Sequence, residues 1–309
     1  MSYIQLSNLV NMYSPEAVFK EIRFTLNLIS SEFDTSVIAK AFDTTIDLYE
    51  GNYPGYRVCS TEYHDLRHVT DVSLAMVRLI HGTLLDGRSI SERHITISLI
   101  AALLHDAGYI QEDWDTEGTG AKHTAEHVPR SADFLKRYGV KNGLSDKEIA
   151  MGCSMILCTD LALDISAIPF LSDEAEFLGK LLCAADLLAQ MADRTYLEKL
   201  LFLYHEFKEC NLGGYKSAED LLQKTIGFYE FVAQRIKDIL DGYDRLMILH
   251  FSSRWDIHRN LYHEAIENQK SYLNQILANP DAAPFEHLRR NGIVRKAQDK
   301  YTEKLKVKS

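Results

Sequence analysis

The chain has 309 residues, of which 46% are apolar and 25% charged, and its net charge is -10. This length and apolar share suffice for one large helical domain or two smaller ones. The negative charge excludes a nucleic-acid backbone as the main partner. The five cysteines are scattered and odd in number, which is typical of reduced core thiols. Residues 1–14 have no signal-peptide pattern, and no apolar run approaches the ~20 residues that cross a bilayer. We therefore expect a cytoplasmic protein without a membrane partner.

The hydrophobic pattern predicts an all-α protein. Ser14-Pro15-Glu16 predicts a helix start, with serine as the N-cap and proline in the first turn. A second helix is predicted from about residue 34 to 49, and the glycines that follow it predict a loop. Residues 69–84 predict the next helix. The run 95–104 is rich in β-branched residues, but its length favours a buried helix over a strand.

Capping signals and apolar stripes predict further helices down the chain. Residues 108–122 predict a loop, and Ser145-Asp146-Lys147-Glu148 has capping-box spacing. The remaining helices are predicted over residues 123–138, 149–157, 173–191, 217–240 and 246–277. The last of these is long and aromatic, which suits packing or a homodimer surface. We expect Asn279-Pro280 to end it and the basic tail beyond to be solvated.

Two histidine-containing stretches suggest a metal site. In the first, His64, His68 and Asp71 recur at i, i+4 and i+7, which would place them on one helix face. In the second, His105-Asp106 closes the buried apolar run, where a polar pair has little water and needs a partner. A divalent cation would be such a partner, because imidazole and carboxylate together suit Zn, Mn and Fe. We predict that the two stretches form two walls of one site.

Asp186 is the candidate that closes this site from elsewhere in the chain. It lies on an apolar stripe, one turn from Leu182. An unpaired carboxylate there would be costly or would become protonated, and a metal removes the difficulty. Any one of these histidines alone is more often an ordinary core residue than a ligand. The order of the four residues together favours a metal site.

That order resembles the His…His-Asp…Asp signature of the HD superfamily of metal-dependent phosphohydrolases. Within it, the chain is most similar to the class I cyclic-nucleotide phosphodiesterases. Their motif Tyr-His-Asn-x-x-His-x-x-Asp-Val resembles residues 63–72, which are Tyr-His-Asp-Leu-Arg-His-Val-Thr-Asp-Val. Three later segments also have counterparts in the family, namely Cys158-Thr159-Asp160-Leu161, Ala184-Ala185-Asp186-Leu187 and Thr225-Ile226-Gly227-Phe228. The likeness covers roughly residues 53–240.

The resemblance implies a multihelical HD-type bundle with two divalent metal ions and a set of site residues. A Zn, Fe or Mn ion would be held tightly, with Asp106 bridging to a second ion, Mg or Mn. The ligands of the tight site would be His68, His105, Asp106 and Asp186. The catalytic residues would be His64, as general acid, and Glu126, which with Thr159 would hydrogen-bond water on the second metal. Thr159, Thr225 and Phe228 would contact substrate, with Phe228 stacking on a base.

The resemblance also implies a division of the chain into a helical extension (1–52), a catalytic domain (53–240) and a C-terminal long helix with a basic tail (241–309). Three positions depart from the family. Asp65 replaces an asparagine, Tyr109 replaces a histidine, and Thr225 replaces the glutamine that reads a purine edge. Threonine cannot offer that paired donor and acceptor, so a purine substrate is not implied.

We predict a metal-dependent phosphodiester hydrolase in which a metal-activated hydroxide attacks the phosphorus. Its partner would be a small-molecule phosphate ester of the nucleotide class, with cyclic nucleotides as the leading candidates. A nucleotide phosphomonoesterase and a non-catalytic metal-stabilised sensing module are the alternatives. His123 and His127 are open between metal ligands and solvated residues, because some HD proteins use a histidine in this region.

Overall fold

The computed structural model describes residues 4–278 and 283–307, with side chains up to residue 301. These ranges contain thirteen α-helices and no β-strand beyond an isolated bridge between Tyr56 and Glu112. The helices are α1 Pro15–Ile29, α2 Ser36–Glu50, α3 Leu66–Leu85, α4 Glu92–Leu104, α5 His127–Lys141, α6 Asp146–Leu157, α7 Asp173–Ala192, α8 Tyr196–Glu209, α9 Ala218–Asp238, α10 Leu246–Trp255, α11 Leu261–Leu277, α12 Pro284–His287 and α13 Ile293–Val307. The prediction of an all-α multihelical bundle is confirmed.

Helices α3 and α7 form the centre of the bundle. They pack against each other, α3 also contacts α1, α4 and α10, and α7 also contacts α6 and α11. Every residue of α3 from His68 to Thr83 is buried, which explains why apolar residues occupy all faces of this helix. Buried apolar residues between Val10 and Ala297 belong to one continuous core. That core includes residues from all three predicted segments, whose boundaries at 52 and 240 stay a prediction.

Capping residues set most helix starts as the sequence indicates. The Ser14 hydroxyl accepts a hydrogen bond from the amide of Ala17 at 3.2 Å. Ser145 and Glu148 form the predicted capping box, each side chain accepting from the other residue's amide. The Ser172 and Ser217 hydroxyls each accept an amide hydrogen, at the starts of α7 and α9 respectively. These oxygens satisfy amides that have no partner inside the helix, so the local sequence alone fixes each start.

The start of α3 differs from the prediction. Asp65 has an extended backbone and accepts the amide hydrogen of His68 at 2.9 Å, so it is the N-cap and the helix begins at Leu66. His64 therefore lies in the loop before the helix, and the expected common helix face of His64, His68 and Asp71 does not form. The sequence predicts one helix that carries His64 and His68 and a separate helix from residue 69, but α3 is continuous from Leu66 to Leu85.

The C-terminal region differs as well. The long helix predicted over residues 246–277 is two helices, because Asp256 adopts a left-handed conformation (φ 55°) that ends α10 and Asn260 caps α11. The predicted stop at Asn279-Pro280 lies outside the described residues. The tail is not simply solvated, since α13 packs against α8 and buries Val294 and Ala297. In the described ranges, no helix is long and apolar enough to span a bilayer.

Candidate metal centre

Four side chains from α3, from the residues that follow α4, and from α7 lie close together. His68 is in the first turns of α3, His105 and Asp106 follow α4 directly, and Asp186 is in the middle of α7. His68 Nε2 lies 3.1 Å from Asp186 Oδ1 and 3.4 Å from Asp106 Oδ2. His105 Nε2 lies 3.7 Å and 3.5 Å from the same two oxygens. His68, His105 and Asp106 are close enough together to share one ion.

The hydrogen bonds around these residues favour a cation over simple burial. The Nδ1 hydrogen of His105 is donated to the Ala102 carbonyl at 2.8 Å, which leaves a lone pair on Nε2. His105 Nε2 and Asp106 Oδ2 are both buried and find no hydrogen-bond partner among the described residues. A buried lone pair facing a buried carboxylate oxygen is costly unless a cation lies between them. Two imidazoles with two carboxylates suit Zn, Fe or Mn.

The electrostatics of the four residues agree with this assignment. Burial lowers the pKa of His105, but the negative charges of Asp106 and Asp186 outweigh burial and raise that pKa to about 9. Burial raises the pKa of Asp186, but the neighbouring imidazoles of His105 and His68 outweigh burial and lower that pKa. The carboxylates therefore stay ionised and attract positive charge. Protons and a divalent ion compete for the same imidazole nitrogens.

His64 lies beside this cluster and is held by a carboxylate that sequence analysis did not identify. Its Nδ1 hydrogen is donated to Glu206 Oε2 at 2.8 Å, and Glu206 Oε1 accepts the amide hydrogens of Glu62 and Tyr63, each at 2.8 Å. Burial lowers the pKa of His64, but the hydrogen bond and charge of Glu206 outweigh it, so the pKa is raised. Glu206 thus both fixes the loop before α3 and stabilises a protonated His64.

Tyr109 forms an aromatic stack with two histidines of the site. Its ring lies 4.2 Å from the His64 ring and 4.5 Å from the His127 ring, nearly parallel to both. The Nδ1 hydrogen of His127 is donated to the Thr124 carbonyl, and its Nε2 faces Asp106 Oδ1 at 3.7 Å. Burial lowers the pKa of His127, so its Nε2 lone pair is available to a second ion. The stack places His127 at the outer side of Asp106.

A cavity of about 480 Å³ opens onto the cluster. His64, His68, Asp106 and Asp186 line one side of it. The rest of its lining is largely apolar and includes the predicted substrate contacts Thr159, Thr225 and Phe228, together with Leu203, Phe207 and Tyr215. The Thr225 hydroxyl is donated to the Leu221 carbonyl within α9. That hydroxyl is therefore already engaged within its own helix.

Three residues that the sequence placed at or near the site are not brought into the cluster. Glu126 is exposed at the start of α5 and is not among the residues that line the cavity. His123 Nε2 donates a hydrogen bond to Asp115 Oδ2 at 2.9 Å and so is engaged elsewhere. Asp71 lies 3.7 Å from Arg67 and lines a different cavity. Of the two open histidines, only His127 reaches the site.

The sequence departs from the phosphodiesterase motifs that it resembles at residues 65 and 109, and both differences have structural explanations. Asp65 caps α3, and its second oxygen pairs with Lys199 Nζ at 3.2 Å, so its charge is balanced. Tyr109 supplies the stacking surface just described. Glu206 could have been found by the signal that identified Asp186, because it continues an apolar stripe of α8 through Leu200 and Leu203. An acid on a buried stripe marks a partner elsewhere in the fold.

Comparison with known proteins gives one family. The model of the Npun_R2479-like family matches residues 55–262, which is more than half of the chain and contains every residue of the cluster. The chain matches no curated protein.

Proposed function

We propose that this chain, which belongs to the Npun_R2479-like family, is a metal-dependent phosphodiester hydrolase of HD type. The observation that supports the proposal is the meeting of His68, His105, Asp106 and Asp186 at one end of a cavity, with His64 alongside. This is the residue order that resembles the HD phosphohydrolases. A cyclic nucleotide stays the leading substrate class.

The residues of the cluster fit a divalent ion, as the unpartnered His105 Nε2 and Asp106 Oδ2 indicate. His68, His105, Asp106 and Asp186 would hold the first ion, and Asp106 with His127 would contribute to a second. Bound there, divalent ions would neutralise charge on phosphoryl oxygens and lower the pKa of water toward neutrality. Zn, Fe or Mn is proposed for the first position and Mg or Mn for the second.

The chain's own residues would perform the proton transfer. His64 carries a proton on Nδ1 that Glu206 accepts, so a second proton on Nε2 would point toward Tyr109 and the cavity. A leaving alkoxide needs such a donor, and an imidazolium stabilised by a buried carboxylate can supply it. After transfer, neutral His64 keeps its orientation because the Glu206 bond to Nδ1 persists. Glu206 is a positioning residue, since it acts through His64.

The cavity wall would orient the remainder of the substrate. Phe228 and Phe207 provide flat apolar surface in the same cavity as the cluster, which suits a base or another aromatic group. Thr225 is the position at which the related enzymes read a purine edge, and its hydroxyl is satisfied within α9. Recognition at this wall would therefore depend on stacking and shape rather than on a paired hydrogen bond, and would tolerate several bases.

Hydrolysis of bis-p-nitrophenyl phosphate with added Mn²⁺ tests the proposal. We expect turnover by the wild-type protein, a loss of about 100-fold or more in His64→Ala with metal content unchanged, and a loss of both metal and activity in His105→Ala. His258→Ala is the matched control, because this histidine is exposed in the α10–α11 connection and is remote in sequence from the cluster. It should leave both quantities unchanged.

The same assay separates the alternatives. A clear preference for p-nitrophenyl phosphate over the diester would select a phosphomonoesterase. A protein that binds metal stoichiometrically but hydrolyses neither ester, nor any 2′,3′- or 3′,5′-cyclic nucleotide, would refute the enzymatic assignment and favour a sensing module. Full activity of His64→Ala on a cyclic nucleotide, whose leaving group is an alkoxide, would refute the role of that residue.

A further inference from the structure

A second cavity, of about 330 Å³, lies beside α3 and shares no lining residue with the cavity at the metal cluster. It is enclosed by α3, the end of α7, the N-terminal segment before α1, and the turn before α13. None of the four cluster residues lines it. Its charged lining residues are four arginines and two aspartates, namely Arg67, Arg78, Arg194, Arg290, Asp71 and Asp193.

Arg78 is the feature that distinguishes this cavity from an ordinary packing gap. Its side chain is only 1% exposed, in the middle of α3. Its Nη1 donates to the Tyr262 hydroxyl at 2.9 Å, but its Nε and Nη2 find no hydrogen-bond partner among the described residues. Burying a guanidinium with two unused donors is strongly unfavourable. The guanidinium also lies 5.5 to 5.7 Å from the ring centroids of Phe251, Trp255 and Tyr262. A ligand in the cavity that Arg78 lines would supply the missing acceptor.

Neighbouring groups extend the same pattern. Asp71 is 7% exposed, and its Oδ1 also has no hydrogen-bond partner in the described ranges. Arg67 pairs through Nη2 with Asp193 at 2.6 Å, while its Nε lies 3.7 Å from Asp71 Oδ2 and makes no hydrogen bond among the described residues. The cavity thus offers several fixed donors and one fixed acceptor. This arrangement suits a ligand with an oxyanion at one end and a hydroxyl or ammonium group at the other.

The charge balance selects an anion. Four guanidinium groups and two carboxylates line the cavity. Asp193 is shared by Arg67 and Lys199, and Arg290 also lies 3.9 Å from Glu198, so positive charge stays in excess. Planar guanidinium donors match the oxygen pairs of carboxylate and phosphate groups. The volume is at the lower end of that of small-molecule sites. A metabolite-sized oxyanion fits both the charge and the space.

Two segments outside the family-matched residues 55–262 close this cavity. The Tyr13 ring covers the Arg67 guanidinium at 4.2 Å, and the Asn291 amide donates to the Tyr13 hydroxyl. Arg290 joins the same wall and is fixed by the Arg194 carbonyl at 2.7 Å. The cover therefore joins two distant parts of the chain over buried polar residues of α3.

We propose that this cavity binds a small organic oxyanion, a carboxylate or a phosphate monoester, through Arg78 and Arg67, with Asp71 accepting a hydrogen bond from a hydroxyl or ammonium group of the same ligand. The site is separate from the proposed catalytic cavity and does not depend on its function. Ligand binding would stabilise the closed arrangement of Tyr13 and Asn291.

Isothermal titration calorimetry on the full-length protein tests this proposal. The probes are inorganic phosphate, glycerol 3-phosphate and malate, which separate phosphate from carboxylate recognition. We expect one-to-one binding of at least one probe and a loss of about tenfold or more in Arg78→Met, which keeps an unbranched side chain but removes its donors. Arg194→Ala, an exposed position where folding is not at risk, should weaken binding about threefold or more.

Arg23→Ala is the matched control, because it removes one exposed positive charge from α1 without touching the cavity lining. A phosphate bound at the metal cluster would be unaffected by Arg78→Met, so equal affinity in wild type and Arg78→Met overturns the proposal. Absence of binding by all three probes at millimolar concentration also overturns it and leaves the cavity to water. If Arg78→Met fails to fold, Arg194→Ala decides, and behaviour equal to that of Arg23→Ala is the refuting result.

Discussion

Replacing Glu206 by Gln tests the proposed acid directly. Glu206 Oε1 accepts two backbone amide hydrogens, so a glutamine there keeps its carbonyl toward the loop and turns its NH₂ toward His64 Nδ1. His64 Nδ1 can then only accept a hydrogen bond, which disfavours the protonated form of His64. A hydrogen bond to a charged group contributes about 1.5–3 kcal/mol, and every 1.4 kcal/mol corresponds to about a factor of ten. We expect kcat at pH 8 to fall about tenfold or more.

The sign of the pH effect follows from the same contact. The pKa of His64 is raised in the folded protein, with the hydrogen bond and charge of Glu206 overcoming burial, and the acid must be protonated to act. Activity is therefore lost as the pH rises through that pKa. Glu206→Gln lowers the pKa, so the alkaline limb of the pH–rate profile shifts to lower pH. The assay is bis-p-nitrophenyl phosphate hydrolysis from pH 6 to 10, with an NMR titration of the His64 ring.

Glu209→Gln provides the control. Glu209 is one turn from Glu206 on α8, is exposed and bonds Thr119 rather than His64. It should leave the profile unchanged. If Glu206→Gln gives the wild-type alkaline limb and an unaltered His64 titration, the assignment of Glu206 as the positioning residue is refuted.

Three further predictions concern metal affinity and stability. The pKa of His105 is about 9, and ligation requires its neutral form. Apparent Zn²⁺ affinity, measured by chelator competition between pH 6 and 8, should therefore rise about tenfold per pH unit for each proton displaced. A pH-independent affinity would contradict this prediction. Asp65→Ala removes the α3 cap and should lower the free energy of unfolding in urea by about 1 kcal/mol. Asp65→Asn keeps the cap and loses only the Lys199 pair, so it should lower that free energy by less. Equal losses in the two variants would exclude capping as the cause. A Cβ on Gly108 would lie 2.0 Å from the main-chain oxygen of the first residue of α5, so Gly108→Ala should destabilise the protein by about 1–3 kcal/mol. The control is Gly227→Ala inside α9, where a Cβ meets nothing within 4 Å, and it should be neutral or stabilising. Similar melting temperatures of the two variants would count against the close approach at Gly108.

The sequence predicts those features that depend on local chemistry. Ser14, Ser145 and Ser172 cap helices because each side chain accepts a hydrogen bond from the amide three residues further on. The apolar run of α4 becomes a helix, as its length favours. His105, Asp106 and Asp186 can be singled out because a polar group that closes or interrupts an apolar stripe needs a partner.

Local chemistry also misleads where a single side chain decides between alternatives. The i, i+4, i+7 spacing of His64, His68 and Asp71 fits a helix, yet Asp65 satisfies the His68 amide and starts the helix after His64. The periodic stretch from α10 to α11 fits one helix, but the left-handed Asp256 interrupts it. Periodicity reports which face is apolar and does not report where the backbone turns.

Only the tertiary structure decides which distant groups meet. Glu206 reaches His64 across 142 residues, and Tyr109 stacks between His64 and His127, because α8 and the turn after α4 pack beside the loop that precedes α3. Glu126 is exposed although His127, the next residue, faces Asp106. Sequence determined the helices and the residues in need of a partner, since propensity and burial are local or periodic properties. Packing determined the partners, since contacts between side chains far apart in the chain depend on how all the helices fill one core.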